Sequence, residues 1–111
     1  MSSTRQNKIE RLIQRDLSEI FQKGTNDLFK GKMVTVTNVR VSPDLSTAKV
    51  YLSLFPVQDK LEYIEYINGI EGQIRFDLGK RVRHQLRKIP ELSFFVDDSL
   101  DYIENLDNLL K

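Results

Sequence analysis

Apolar residues recur along this chain first at helical spacing, then at strand spacing, then at helical spacing again. Ile9, Leu12, Ile13, Leu17, Ile20 and Phe21 keep to one side of a helix. Ser3-Thr4-Arg5-Gln6 has the form of a capping box at its start, and Gly24 after Lys23 supplies a stop. Val34-Thr35-Val36-Thr37 then alternates, and Val39 and Val41 fall out of step, so a bulge is expected near Asn38. Ser42-Pro43-Asp44-Leu45-Ser46 carries turn chemistry, because Pro restricts φ and Asp and Ser can bond the local backbone. Ala48, Val50, Leu52 and Leu54 alternate with Lys49, Tyr51, Ser53 and Phe55, completing an antiparallel hairpin with one buried face. Tyr51 and Phe55 fall on its other face, either as a platform for bases or under partial cover.

Pro56 ends that strand. Asp59 to Ile67 reads as a helix on Leu61, Ile64 and Ile67, flanked by Tyr63 and Tyr66, and Asn68-Gly69 should stop it. A second helix is expected to begin after Gly72, ended by Pro90 at or just before Ile89. At about 100° per residue, Ile74, Leu78, Val82, Leu86 and Ile89 share a sector about 120° wide. Lys80, Arg83, His84 and Arg87 lie opposite, with Arg81 and Lys88 on the shoulder. Leu92 to Val96 is a short strand. Asp97-Asp98-Ser99 would cap a last helix with Leu100, Ile103, Leu106 and Leu109 or Leu110 inward, its acidic first turn favoured by the helix dipole. The pattern predicts an α+β fold. A strand that returns after a helical crossover lies parallel to its neighbour, so the sheet should be mixed, with helices on one face.

Composition narrows this further. The 111 residues suit one domain, spanning 1–111, with one modest core. There is no cysteine, hence no disulfide framework and no thiolate metal site, which fits a reducing compartment. The opening MSSTRQNK has no apolar core of the leader kind, and no run approaches about 18 apolar residues, so a cytoplasmic protein without a membrane span is expected.

A net charge of +1 conceals strong segregation. Residues 72–90 hold six Lys/Arg against one acid, while residues 91–111 hold one against six. Residues 1–32 carry a surplus of +3, mostly from Arg5, Lys8, Arg11 and Arg15 on the outer face of the first helix. A cationic helix face beside an acidic tail suits a polyanionic partner.

Enzyme chemistry finds little support. The one histidine, His84, sits among cations with no carboxylate a turn away to orient it. Asp97-Asp98 reads as a helix cap before a metal pair, and no phosphate-binding loop or nucleophile–base motif occurs. No cofactor, metal or small-molecule substrate is expected. The informative constellation is Gly69-Ile70-Glu71-Gly72 at a helix junction, where a GxxG loop lets backbone amides approach a nucleic-acid backbone. Glu71 works against that use, since it places an anion where phosphate would come.

Across these residues the chain resembles ribosome-binding factor A, a family of bacterial small-subunit assembly factors. The resemblance rests on Ile9-Glu10-Arg11-Leu12-Ile13, Val34-Thr35-Val36-Thr37, Val41-Ser42-Pro43-Asp44-Leu45, Ala48-Lys49-Val50-Tyr51, Gly72-Gln73-Ile74-Arg75, Leu78-Gly79-Lys80 and Ile89-Pro90-Glu91-Leu92-Ser93-Phe94-Phe95 with Asp97. These segments run in one order over almost the whole chain. The resemblance implies a single KH-like domain (type II, αββααβ) with a three-stranded mixed sheet, a helix interrupted at Ile70 to Gly72 and an extra C-terminal helix. Where the family has Ala-x-Gly at the interruption, this chain has Ile70-Glu71-Gly72, which bears on the kink angle more than on the fold. It further implies a monomer that binds immature small ribosomal subunits through rRNA, supports late maturation and 5′-end processing of that RNA, and aids growth in the cold. Lys80, Arg81, Arg83, His84, Arg87 and Lys88, with Arg75, are then the candidate RNA contacts, extended by Arg5, Lys8, Arg11 and Arg15. A protein-interaction module docking an acidic partner is the alternative.

Overall fold

The computed structural model describes residues 3–24, 29, 31–55 and 57–97. Ser3 accepts the Gln6 amide at 3.1 Å while the Gln6 side chain accepts the Ser3 amide at 2.9 Å, so the expected capping box opens helix α1, Thr4–Lys23. Strands β1, Met33–Val41, and β2, Thr47–Phe55, follow as an antiparallel pair, then helices α2, Lys60–Gly69, and α3, Glu71–Val82, then strand β3, Glu91–Val96. β3 lies parallel to β2, so the sheet is mixed in the order β1-β2-β3. The register between β1 and β2 shifts between Val36 and Asn38, where the broken alternation placed a bulge.

One face of the sheet carries the core. Val34, Val36, Val39, Val41, Ala48, Val50, Leu52, Leu54, Leu92 and Phe94 are buried with Ile9, Ile13, Leu17, Ile20 and Phe21 of α1 and Ile74, Leu78 and Val82 of α3. Met33, Phe55 and Phe95 stand exposed, and Tyr51 is half-buried with its ring 5.6 Å from that of Phe95. Gly24 ends α1 with φ −88°, so it does not serve as a left-handed cap. Its role is close approach: a Cβ there would lie 2.8 Å from the Phe29 ring.

Both edge strands are stitched to helices by side chains, which covers part of each edge. Gln6, Glu10 and Gln14 lie four residues apart along α1. Gln6 donates to the Val41 carbonyl at 3.1 Å, Glu10 accepts the Val41 amide at 2.9 Å, and Gln14 donates to the Val36 carbonyl at 3.3 Å. At the other edge Asn68 accepts the Phe94 amide at 2.9 Å and donates to the Phe94 carbonyl at 3.0 Å. Glu71 accepts the Leu92 amide at 3.1 Å. Asn68→Ala strips both partners from a strand residue only 2% exposed, and its urea midpoint should report a loss of about 1–3 kcal/mol. An unchanged midpoint would mean that water replaces the amide at no cost.

Several expectations are corrected. The helix expected to run to Ile89 ends at Val82, and Gln85 and Leu86 donate back to the Val82 carbonyl at 2.8 and 2.9 Å. Seven further helical residues would carry the chain about 10 Å along the axis. Instead Pro90 is fully buried and the Glu91 amide bonds the Ser46 carbonyl, so residues 83–90 must fold back over α3. Leu61 is 75% exposed, and Tyr63 takes the inward place with its hydroxyl donating to the Phe29 carbonyl at 2.7 Å. That burial pushes the Tyr63 phenol up to about 12. Leu100, Ile103, Leu106, Leu109 and Leu110, the inward side of the expected C-terminal helix, lie outside the described residues, as does Asp98. Asp97 accepts the hydroxyl of Thr37 at the bulge.

Candidate nucleic-acid interface

The interruption between α2 and α3 is narrower than its glycines imply. Ile70 alone separates the helices, at φ −106° and ψ 18°, and Gly72 already lies within α3. The Ile70 amide donates backward to the carbonyls of Tyr66 and Ile67, and the Ile70 carbonyl accepts from Gln73 and Ile74. The Ile70 backbone groups are thus paired within the chain, and the junction is a one-residue kink between helices. Gly69 and Gly72 meet nothing within 4 Å where a Cβ would stand, so the kink itself demands neither. Glu71 is turned to the β3 edge and to Arg75, 3.4 Å away, so the anion that weighed against phosphate is already engaged.

The expected cations divide into three sets. Arg5 and Lys8 on α1 share a groove of about 750 Å³ with Arg87 and Lys88 of the segment after α3. Ile9, Leu12, Leu45 and Leu86 form its apolar lining. Sequence spacing put these four cations on two separate helices. The early end of α3 brings them to one concavity, because residues 83–90 leave the helix and cross toward α1. Leu45, at φ +62° in the turn between β1 and β2, and the neighbouring Asp44 add the hairpin to the groove's lining. Asp44 beside it accepts the Ser42 and Ser46 hydroxyls at 2.7 and 2.8 Å and the Ser46 amide at 3.1 Å. Those donors hold its carboxyl at about 2, below the usual range, with Ser42 the largest cause.

A second set sits on the outer side of α3. Lys80 and Arg83 are exposed and make no ion pair among the described residues. Arg83 caps α3 and shares a shallow depression with Arg75, Phe76, Lys80 and Ile89. His84 is exposed in the turn that follows.

The third set is engaged or displaced. Arg81 bonds Glu19 and lies 3.6 Å from Asp16, clamping α3 to α1 with only a quarter of its side chain exposed. The Arg81 hydrogen bond is the main cause that holds the Glu19 carboxyl below its ordinary range. Arg15 pairs with Asp16 at 3.5 Å, while Arg11 is exposed on α1 outside the groove lining. Spacing alone put Arg81 on the shoulder of the cationic face, and only α1 packing beside α3 shows what it holds. Among the described residues no group of three or more His, Asp or Glu side chains could hold a metal ion. No helix of those residues is long and apolar enough to cross a membrane.

Comparison with known proteins agrees with this architecture. The sequence model of the ribosome-binding factor A family matches residues 5–110. A relative from Flavobacterium johnsoniae, described as ribosome-binding factor A, is 46% identical, with 99% of this chain and 85% of the relative covered. Its counterpart in Christiangramia forsetii is 44% identical over 98% of this chain and 84% of its own length. The crystal structure of ribosome-binding factor A from Thermus thermophilus superposes with a TM-score of 0.68 at 27% identity, covering 82% of this chain and 94% of that one. A homology model of the Thermus thermophilus factor, fitted into a cryo-EM map of its complex with the 30S subunit, gives 0.65 at 28% identity, covering 82% and 93%. With the family model spanning nearly every residue and the α+β fold shared, the chain belongs to the ribosome-binding factor A family.

Proposed function

We propose that this protein binds immature small ribosomal subunits through rRNA and supports their late maturation, including processing at the rRNA 5′ end, without catalysing a reaction itself. The observation that carries this is the groove where Arg5 and Lys8 of α1 meet Arg87 and Lys88, continued over the turn to Arg83 and Lys80. Four cations around one concavity suit a phosphate backbone better than the flat face of a single helix. Contacts of this kind position a protein and carry no base information, so specificity comes from the shape of the folded RNA. The Thermus thermophilus factor, similar over most of its length, was fitted into a complex with the 30S subunit, which supports the same partner here.

Sedimentation with purified subunits tests the proposal. The protein should travel with free small subunits and not with whole ribosomes. Six to ten phosphate contacts should lower its affinity by about 10³–10⁵ between 50 and 200 mM salt. An affinity that stays flat over that range would reject the cationic groove as the binding surface.

A further inference from the structure

Phe76 has no part in the core. It lies on α3 opposite the buried Ile74, Leu78 and Val82, with 64% of its surface exposed. A single exposed apolar side chain is ordinary. Its surroundings are not. Gly72 and Gly79 lie four residues before and three after it, the positions that adjoin Phe76 on the same helical face. A Cβ on Gly72 would meet nothing within 4 Å, and one on Gly79 would make only ordinary contact with Ile89, 3.5 Å away. The packing of this chain therefore requires neither glycine, although glycine inside a helix costs about 0.5–1 kcal/mol relative to alanine. Neither position sets a side chain beside the ring, one face of which lies under the Lys80 ammonium. The Lys80 ammonium stands 4.6 Å from the ring centroid, and Arg83 lines the same depression. Arg75, also in its wall, is turned to Glu71, so Lys80 and Arg83 supply the free positive charge.

We propose that Phe76, with Lys80 and Arg83, is a subsite for one unpaired nucleotide of RNA, the base stacking on the ring and the adjoining phosphates meeting the two cations. An aromatic face accepts any base, and cations beside it choose a nucleic acid over an apolar peptide. A paired base is sandwiched by its neighbours and offers no free face. The subsite therefore selects single-stranded or splayed RNA, which the phosphate contacts of the groove alone do not. This rests on the RNA-binding function proposed above and adds a preference for unpaired residues.

The chain has no tryptophan, so Phe76→Trp installs one fluorescent reporter in the ring's own place. The probes are a single-stranded oligoribonucleotide of about 8–12 nucleotides and the same strand in a duplex. Single-stranded RNA should quench the emission of the introduced indole, and the duplex should leave it bright. Phe76→Leu, which keeps an apolar side chain but no ring, should weaken single-strand binding about 5- to 150-fold and leave duplex binding unaltered. Wild-type single-strand affinity in Phe76→Leu, or equal quenching by duplex, would overturn the subsite while leaving the groove's function standing. If the unaltered protein binds neither RNA nor small subunits, both proposals fall together.

Discussion

Arg83→Glu combined with Arg87→Glu is expected to abolish small-subunit binding while the fold survives. Both side chains are exposed, and neither has an ion-pair partner among the described residues, so no ion pair of those residues is broken. A cation 4 Å from a phosphate in water gains about 1 kcal/mol, and reversing its sign turns that gain into a similar repulsion. Two reversals amount to about 4 kcal/mol, a loss of roughly 10³-fold in affinity, and the logarithmic salt slope should shrink by about 1.4–1.8. Circular dichroism should remain that of the wild type. Arg40→Glu with Lys49→Glu makes the same change in net charge on the open side of the hairpin, where these residues face each other across the strands. That control should bind within a few-fold of wild type. Equal losses in both variants would mean that only net charge matters, and the assigned surface would be wrong.

Phe21→Ala should be the most damaging core substitution, at about 3–5 kcal/mol. Phe21 is fully buried, its ring 4.7 Å from Phe29 and 6.0 Å edge-on from Phe94. It joins the end of α1 to the segment before β1 and to β3, so the void would open where three parts of the chain meet. A domain of this size has about 5–15 kcal/mol in total, so the variant should sit near the limit of folding. Urea unfolding should show a much lower midpoint with little change in slope. Phe21 does not line the cationic groove. Where the variant is still folded, small-subunit affinity should therefore match wild type, which separates loss of fold from loss of binding. A midpoint within error of wild type would show that Phe29 and Phe94 close the gap.

The signals legible in the chain were those that depend on near neighbours. Alternation in Val34 to Val41 and in Ala48 to Leu54 marked the hairpin, and the break in that alternation located the bulge to within a residue. Ser3 and Gln6 announced the start of α1, and a strand after a helical crossover implied the parallel pairing of β3. The end of α3 was not legible. Leu86 and Ile89 continue the apolar stripe of Ile74, Leu78 and Val82 and remain packed against the core, but from a folded-back segment. Periodicity records which side faces inward and not whether the backbone is still helical.

Phe76 escapes the same kind of pattern, because it belongs neither to the buried stripe nor to the cations. Its position off that stripe, between two glycines and beside Lys80 and Arg83, was the available signal.

What the amino-acid order determined by itself was the kind of the six described elements, the buried faces of α1, the hairpin and α3, and the surplus of positive charge on α1 and on the segment from α3 to Pro90. Those properties follow from spacing and side-chain chemistry along a few turns of chain. Only the tertiary structure decided which charges act together. Arg81 is drawn to Asp16 and Glu19, and Arg75 to Glu71, whereas Arg87 and Lys88 reach Arg5 and Lys8 some eighty residues earlier in the chain. Electrostatic energy depends on distance through space, and packing α1 beside α3 sets those distances.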